Sequence, residues 1–253
     1  MVKDRLLVEF DNAVRNTHIR VSQQMVNIAH DRMKFGLLHN QDADPTMSSV
    51  FKVSRYEQRR LRKLAKLCHG ATVLDVGCAR LPNPYFQGMH RVGFDLELPS
   101  VATDYEEHIE GDALEMSRFL GDRTFDNIVA GEFIEHLENP YQFLRTARRH
   151  LADGGRIIVS TPNPISFPCL AFELISSKRR FYSPNHTYYF CPRWVEQMLR
   201  KCGFNVDRVQ GVGLWTPGLV IPCPATISYQ VIYVGSVSSA TEIDQRSGET
   251  SGV

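Results

Sequence analysis

Residues Thr72 to Arg80 read T-V-L-D-V-G-C-A-R. The apolar run of Val73, Leu74 and Val76 is that of a buried parallel strand; it carries one acid, Asp75, and breaks at Gly77 into a turn. About twenty residues on, R-V-G-F-D closes a second strand on Asp95. A strand running into a glycine turn, followed by a strand ending in a carboxylate, commits the chain to an open α/β sheet. The turn lets backbone amides approach a ligand at the strand ends, and the acid is placed to accept from both hydroxyls of a ribose. The turn also limits that ligand. G-x-G-x-x-G uses its second glycine to bring backbone against a pyrophosphate. Here Gly77 is followed by Cys78, Ala79, Arg80, Leu81 and Pro82, and no G-x-x-x-x-G-K-[ST] loop occurs in the chain. The pattern suits a ribose without phosphates.

From Gly70 onward strand and helix signals alternate. Strands are expected at Thr72–Val76, Arg91–Asp95, His108–Glu110, Phe125–Ala130, Arg156–Ser160, Phe204–Val212 and Ser228–Val234. One helix begins after Asn139, a capping residue, with Pro140 at its first position; Phe143, Leu144, Ala147 and Leu151 share its apolar face, and Asp153-Gly154-Gly155 is the expected stop. Another runs from near Pro192 to Gly203. The first two strands are joined by A-R-L-P-N-P-Y-F, whose prolines leave room only for a short or distorted helix. The repeat predicts a Rossmann-like, doubly wound α/β fold: a mostly parallel, seven-stranded sheet with one antiparallel edge strand.

Before this region, 3–35 reads as helix and 39–49 as a loop. A helix over 51–68 has Leu61, Leu64, Ala65 and Cys68 on one face and Arg59, Arg60, Arg62, Lys63 and Lys66 on the other, a basic stripe expected to be solvated. The organisation is therefore an N-terminal helical segment over 1–69, one domain over 70–235, and a disordered, polar tail over 236–253. A length of 253 residues suits one such domain with an appendage. The net charge of +1 gives no general pull toward nucleic acid or membrane. No stretch has the length and apolarity of a membrane span, and the acids within the first apolar stretch do not fit a secretory signal. Six scattered cysteines without a C-x-x-C pair then read as free thiols in a cytoplasmic protein.

The 72–80 stretch resembles the first motif of class I S-adenosylmethionine-dependent methyltransferases, V-L-D-[VI]-G-C-G-x-G, with Ala79 where that family has a glycine. The resemblance covers roughly Leu61 to Val234. F-D-N-I-V-A-G-E-F-I-E-H-L-E-N-P looks like the family's fourth motif, G-G-R-I-I-V-S-T-P-N-P like the strand after its K-P-G-G-type turn, and H-T-Y-Y-F-C-P-R-W with the later C-G-F like the H-x-x-x-F-[TS]-P-x-x-L…G-F segment of small-molecule members. The resemblance implies S-adenosyl-L-methionine as cofactor, held by Asp75, Gly77, Ala79 and Asp95, by Asp112 accepting from the adenine amino group with Ala113 beside it, and by Glu132. Asp112 is also placed to cap a helix, and the two roles are compatible.

Glu132, Glu135 and His136 fall at the C-terminal end of the fourth strand, where ligands bind in such sheets. In a helical turn their spacing puts two carboxylates and an imidazole on one face, a set able to hold a divalent cation such as Mg²⁺. E-x-x-E-H with the distant His186 resembles the metal site of small-RNA 2′-O-methyltransferases and of ubiquinone-pathway O-methyltransferases. This implies an acceptor with two adjacent oxygens, a vicinal diol or catechol. The alternative is E-H-L-x-[ND]-P without a metal, in which Glu135 and His136 shape the pocket or His136 alone is the general base.

The expected activity is O-methylation of a hydroxyl on a glycan of the bacterial surface-polysaccharide or lipo-oligosaccharide type, or on another small molecule. Lys178, Arg179, Arg180 and Tyr182 read as a solvated loop, or, as the resemblance implies, one that covers the acceptor, and Trp215 is placed to stack or pack. N-P-P-Y is absent after the fourth strand, so amine methylation of adenine or glutamine is not supported. Two other readings stay open: an RNA 3′-end 2′-O-methyltransferase, to which the low net charge and the chain length run counter, and a catalytically silent cofactor-binding subunit, suggested by Ala79 and the shortened helix after the first strand.

Overall fold

The computed structural model of the protein describes residues 54–167, 169–170, 186–216 and 219–237. The helix expected over 3–35, the loop over 39–49, the basic loop at 178–182 and the tail from 238 lie outside these residues, as does the side chain of Trp215. In chain order the described elements are helix α1 (Arg55–Leu67), strands β1 (Thr72–Val76), β2 (His90–Asp95) and β3 (Glu107–Glu110), a short helix α2 (Met116–Leu120), strand β4 (Phe125–Gly131), helix α3 (Pro140–Arg149), strand β5 (Leu151–Pro162), helix α4 (Pro192–Lys201), and strands β6 (Phe204–Thr216), β7 (Leu219–Ile221) and β8 (Gln230–Val237).

All eight strands join one sheet in the order β3-β2-β1-β4-β5-β8-β6-β7. β1 to β5 pair in parallel. β8 runs antiparallel between β5 and β6, and β7 is an antiparallel edge. This is the Rossmann-like, mostly parallel sheet that the alternation predicts. The strand beyond seven is β7, three residues set between Gly218 and Pro222, too few to leave a period in the sequence.

The register aligns the strand ends. Val76 pairs with both Phe94 and Ala130, and Gly131 pairs with Ser160. Gly77, Asp95 and Glu132 therefore emerge at one edge of the sheet. β1 has β2 on one side and β4 on the other, so the connections after β1 and β4 diverge and leave a crevice at that edge.

Two apolar layers hold the sheet. On one face Phe143, Leu144 and Ala147 of α3 and Val195 and Leu199 of α4, all fully buried, pack on Leu74, Ile128 and Ile157. Burying each large side chain stabilises by roughly 1.5–3 kcal/mol. On the other face α1 packs Tyr56 and Leu64 on Val73, Val129 and Ile232. Three of the five residues in the basic stripe on α1 are not simply solvated: Arg59 Nε donates to the Val212 carbonyl at 3.0 Å and Lys63 Nζ to the Gly211 carbonyl, tying helix to sheet. Arg60 is buried.

Two local expectations change. α3 starts as expected, with Asn139 Oδ1 accepting from Gln142 N at 3.0 Å and Pro140 in the first turn. It ends at Arg149, however, and Leu151 opens β5, paired with Phe125; Asp153-Gly154-Gly155 lies in an irregular stretch of that strand. No helix joins β1 to β2. Turns replace it, anchored by buried Phe86 and by Asn83, whose Nδ2 donates to the Leu61 carbonyl at 3.0 Å. No helix among the described residues is long and apolar enough to cross a membrane, and no disulfide joins the six cysteines.

Candidate active site

Gly77 sits at φ 76°, and a Cβ there would run into the Phe133 ring, so only glycine lets β1 end with the β4 connection so close. Its N–H donates to the Phe94 carbonyl at 2.8 Å. Asp95, half-buried, accepts from Ala79 N through Oδ2 at 2.7 Å and from Leu96 N through Oδ1 at 2.7 Å. Each carboxylate oxygen keeps a lone pair for a further donor, the chemistry a ribose diol requires. Ala79 is buried and serves here through its amide. Asp112 is exposed and caps the 3₁₀ turn Ala113–Glu115, accepting from Leu114 N at 2.8 Å with Oδ1. Ala113 is buried beneath it. A cavity of about 30 Å³ adjoins the turn, lined among others by Arg60, Asp75, Gly77, Asn83 and Gly131.

Asp75 faces away from water. Tyr105 Oη donates to its Oδ2 at 2.5 Å and accepts from Asn83 N at 2.8 Å, so one phenol clasps the strand acid to the segment that replaces the missing helix. Burial pushes the Asp75 carboxyl up to about 7, against the lowering effect of the Tyr105 hydrogen bond.

After β4 the chain makes a 3₁₀ turn over Ile134–His136. One ligand atom from each of Glu135, His136 and His186 lies within 4.8 Å of the others, and the two imidazoles meet edge to face with centroids 4.7 Å apart. Hydrogen bonds hold this pairing across fifty residues of sequence: Thr187 N and Tyr188 N donate to the Glu135 carbonyl at 2.9 and 3.1 Å, and the Thr187 side-chain Oγ1 donates to the His136 carbonyl at 3.3 Å. His136 is exposed, His186 half-buried and Glu135 only 1% exposed. Both Glu135 carboxylate oxygens and His186 Nδ1 are buried without a hydrogen-bond partner. Buried polar atoms are almost always paired, and three orphans in one spot mark a place built for something else.

The electrostatics agree with that reading. Burial raises the Glu135 carboxyl well above the usual carboxylate range, and Glu132 adds to the rise. Burial, with His136 second, lowers His186 and keeps its imidazole neutral, the form that ligates metals. Two carboxylate oxygens and two imidazoles are a donor set that suits a divalent cation.

The structure sets Glu132 apart from these three. Its Oε1 accepts from Ser160 Oγ at 3.0 Å and its Oε2 from Gln230 Nε2 at 2.7 Å. Arg60, paired to Glu57 at 2.6 Å, contributes a favourable charge. Arg60, Ser160, Gln230, Tyr105 and Phe133 are the site residues that sequence reasoning missed. Phe133 and Ser160 lie inside the quoted motifs and Arg60 in the basic stripe, but nothing there singles them out for the site; Tyr105 and Gln230 leave no signal.

A profile of the family described as a methyltransferase domain matches residues 51–209, well over half of the chain. The chain belongs to this family. The methyltransferase domain has a relative in Mycolicibacterium smegmatis described as a probable S-adenosylmethionine-dependent methyltransferase, 28% identical over 165 residues, which are 60% of this chain and 58% of that protein. The chain thus spans little more than half the length of that relative. The ubiquinone biosynthesis O-methyltransferase of Rickettsia akari is 23% identical over 71% of this chain and 74% of its own length. Among solved structures, an S-adenosylmethionine-dependent methyltransferase of Thermotoga maritima superposes with a TM-score of 0.57 at 20% identity, covering 72% of this chain and 88% of the other. The methyltransferase family implies S-adenosylmethionine as cofactor, and the glycine turn with its half-buried Asp95 has the chemistry to receive the nucleoside.

Proposed function

We propose that this methyltransferase transfers the methyl group of S-adenosylmethionine to a hydroxyl of a small acceptor carrying two adjacent oxygens, a vicinal diol of a sugar or a catechol. The observation that carries the reading is the convergence of three unpartnered buried atoms, Glu135 Oε1 and Oε2 and His186 Nδ1, beside His136. Glu135 and His136 lie on the connection whose Phe133 abuts Gly77, and His186 is brought to it by the Thr187 and Tyr188 bonds, so acceptor chemistry and cofactor turn share one crevice. The Rickettsia relative, an O-methyltransferase by name, supports oxygen as the acceptor atom.

When bound, S-adenosylmethionine supplies an electrophilic methyl group. Asp95 accepts from its ribose hydroxyls, Asp112 from its adenine, and the Gly77 turn leaves backbone free to approach it. A divalent cation in the Glu135, His136 and His186 centre would supply Lewis-acid charge that draws paired acceptor oxygens and eases loss of the hydroxyl proton. The residues' own task is orientation, which accounts for much of the rate in a displacement of this kind. The reading is tested by His136→Ala, which should bind cofactor with wild-type affinity in calorimetry while methyl transfer falls by at least about 100-fold. Near-normal transfer would reduce His136 to a packing residue.

A further inference from the structure

Glu132 is the one non-glycine residue among those described with a positive φ, 55°, in the left-handed region that L side chains avoid. It stands between β4 and the turn that carries Glu135 and His136. Such a conformation persists only when the surroundings over-determine it, and here they do. The Glu132 N–H donates to the Ser160 carbonyl at 2.9 Å, and the carboxylate takes donors from Ser160 in β5 and Gln230 in β8. Gln230 Nε2 also reaches Glu57 Oε1 of α1 at 3.3 Å, and Arg60 Nη1 reaches Ser160 Oγ at 3.4 Å. Glu132 is therefore lashed to two strands, with a helix behind them.

We propose that Glu132 is a positioning residue that aims the metal-binding turn, and not a fourth ligand of that centre. This rests on the reading of Glu135, His136 and His186 given above. The geometry makes the chain of effects short. The left-handed bend at Glu132 fixes the direction in which the 3₁₀ turn leaves the sheet, and the turn sets the Glu135 and His136 side chains. The Glu135 carbonyl in turn receives the N–H groups of Thr187 and Tyr188, which delivers His186. The ligand atoms that converge within 4.8 Å come from Glu135, His136 and His186, while the Glu132 oxygens are turned to Ser160 and Gln230; Glu135 offers two oxygens with no partner at all.

The test has two arms on the full chain. In the metal-free protein, the ring signals of His136 and His186 are followed by nuclear magnetic resonance, where edge-to-face packing gives each ring a characteristic shift. Glu132→Gln should leave both signals in place, because Gln230 Oε1 has no partner and a flipped Gln230 amide can accept from the new one. Glu132→Ala should move both; if it does not fold, Glu132→Gly, which adopts positive φ without strain, replaces it and should also move both. Unmoved signals in the folded alanine or glycine variant overturn the proposal. In the second arm Mn²⁺ is titrated by calorimetry. Glu135→Gln should weaken binding at least 10-fold and Glu132→Gln less than 3-fold. Equal losses would make Glu132 a ligand and overturn the proposal. If the wild type takes up no Mn²⁺, the metal reading fails, and the first arm still decides whether Glu132 positions the turn.

Discussion

Glu135→Leu should stabilise the metal-free protein. Glu135 is 1% exposed, and neither carboxylate oxygen has a partner. A carboxyl buried without partners costs free energy whether it is ionised or, as burial favours here, protonated, and apolar residues of similar volume at such sites often stabilise by about 1–4 kcal/mol. Leucine removes both orphan oxygens while filling the same space. A gain of about 2 kcal/mol corresponds to about 4–8 °C in Tm for a domain of this size. A divalent cation should reverse the ranking. At 100 times its Kd it adds about 2.7 kcal/mol, about 5–11 °C, to the wild type and nothing to the variant. The assay is thermal denaturation at pH 8, with EDTA and then with Mg²⁺ or Mn²⁺. A metal-free variant less stable than wild type, or equal cation-induced shifts in the two proteins, would refute the reasoning.

Gly77→Ala should abolish cofactor binding, since the added methyl meets Phe133 at a φ that alanine resists; wild-type affinity in calorimetry would contradict the account of the turn. Asp95→Ala should likewise lose cofactor affinity, and an unchanged Kd would sink the ribose contact. Asp75 binds its proton more tightly folded, at about 7, than at its ordinary 3.8. Its stabilising effect is thus complete below about pH 4 and is lost as pH rises through about 7. Asp75→Asn should therefore gain on wild type between pH 5 and pH 8 by up to about 2.5 kcal/mol in denaturant unfolding, and a constant difference across that range would contradict the assignment.

The sheet was legible because its strands are apolar runs punctuated by glycine, and the strand-end acids mark the binding edge. What escaped reading depends on contacts distant in sequence. Leu151 fits the α3 periodicity, yet pairing with Phe125 draws it into β5. The basic residues on α1 look solvated until β6 offers its carbonyls to Arg59 and Lys63. In the site, E-x-x-E-H with His186 suggests four equivalent ligands, and spacing alone cannot tell that Glu132 is tied to neighbouring strands instead. That distinction lies in a backbone φ and in two partners, Ser160 and Gln230, distant in sequence from Glu132.

The central claim is most directly tested by transfer of a labelled methyl group from S-adenosylmethionine to a panel of catechols and vicinal-diol sugars, with EDTA and then with added Mg²⁺. The account expects label in an acceptor with adjacent oxygens, lost with EDTA and restored by the cation. Label that resists EDTA, or saturable cofactor binding with no transfer to any member of the panel, would contradict it.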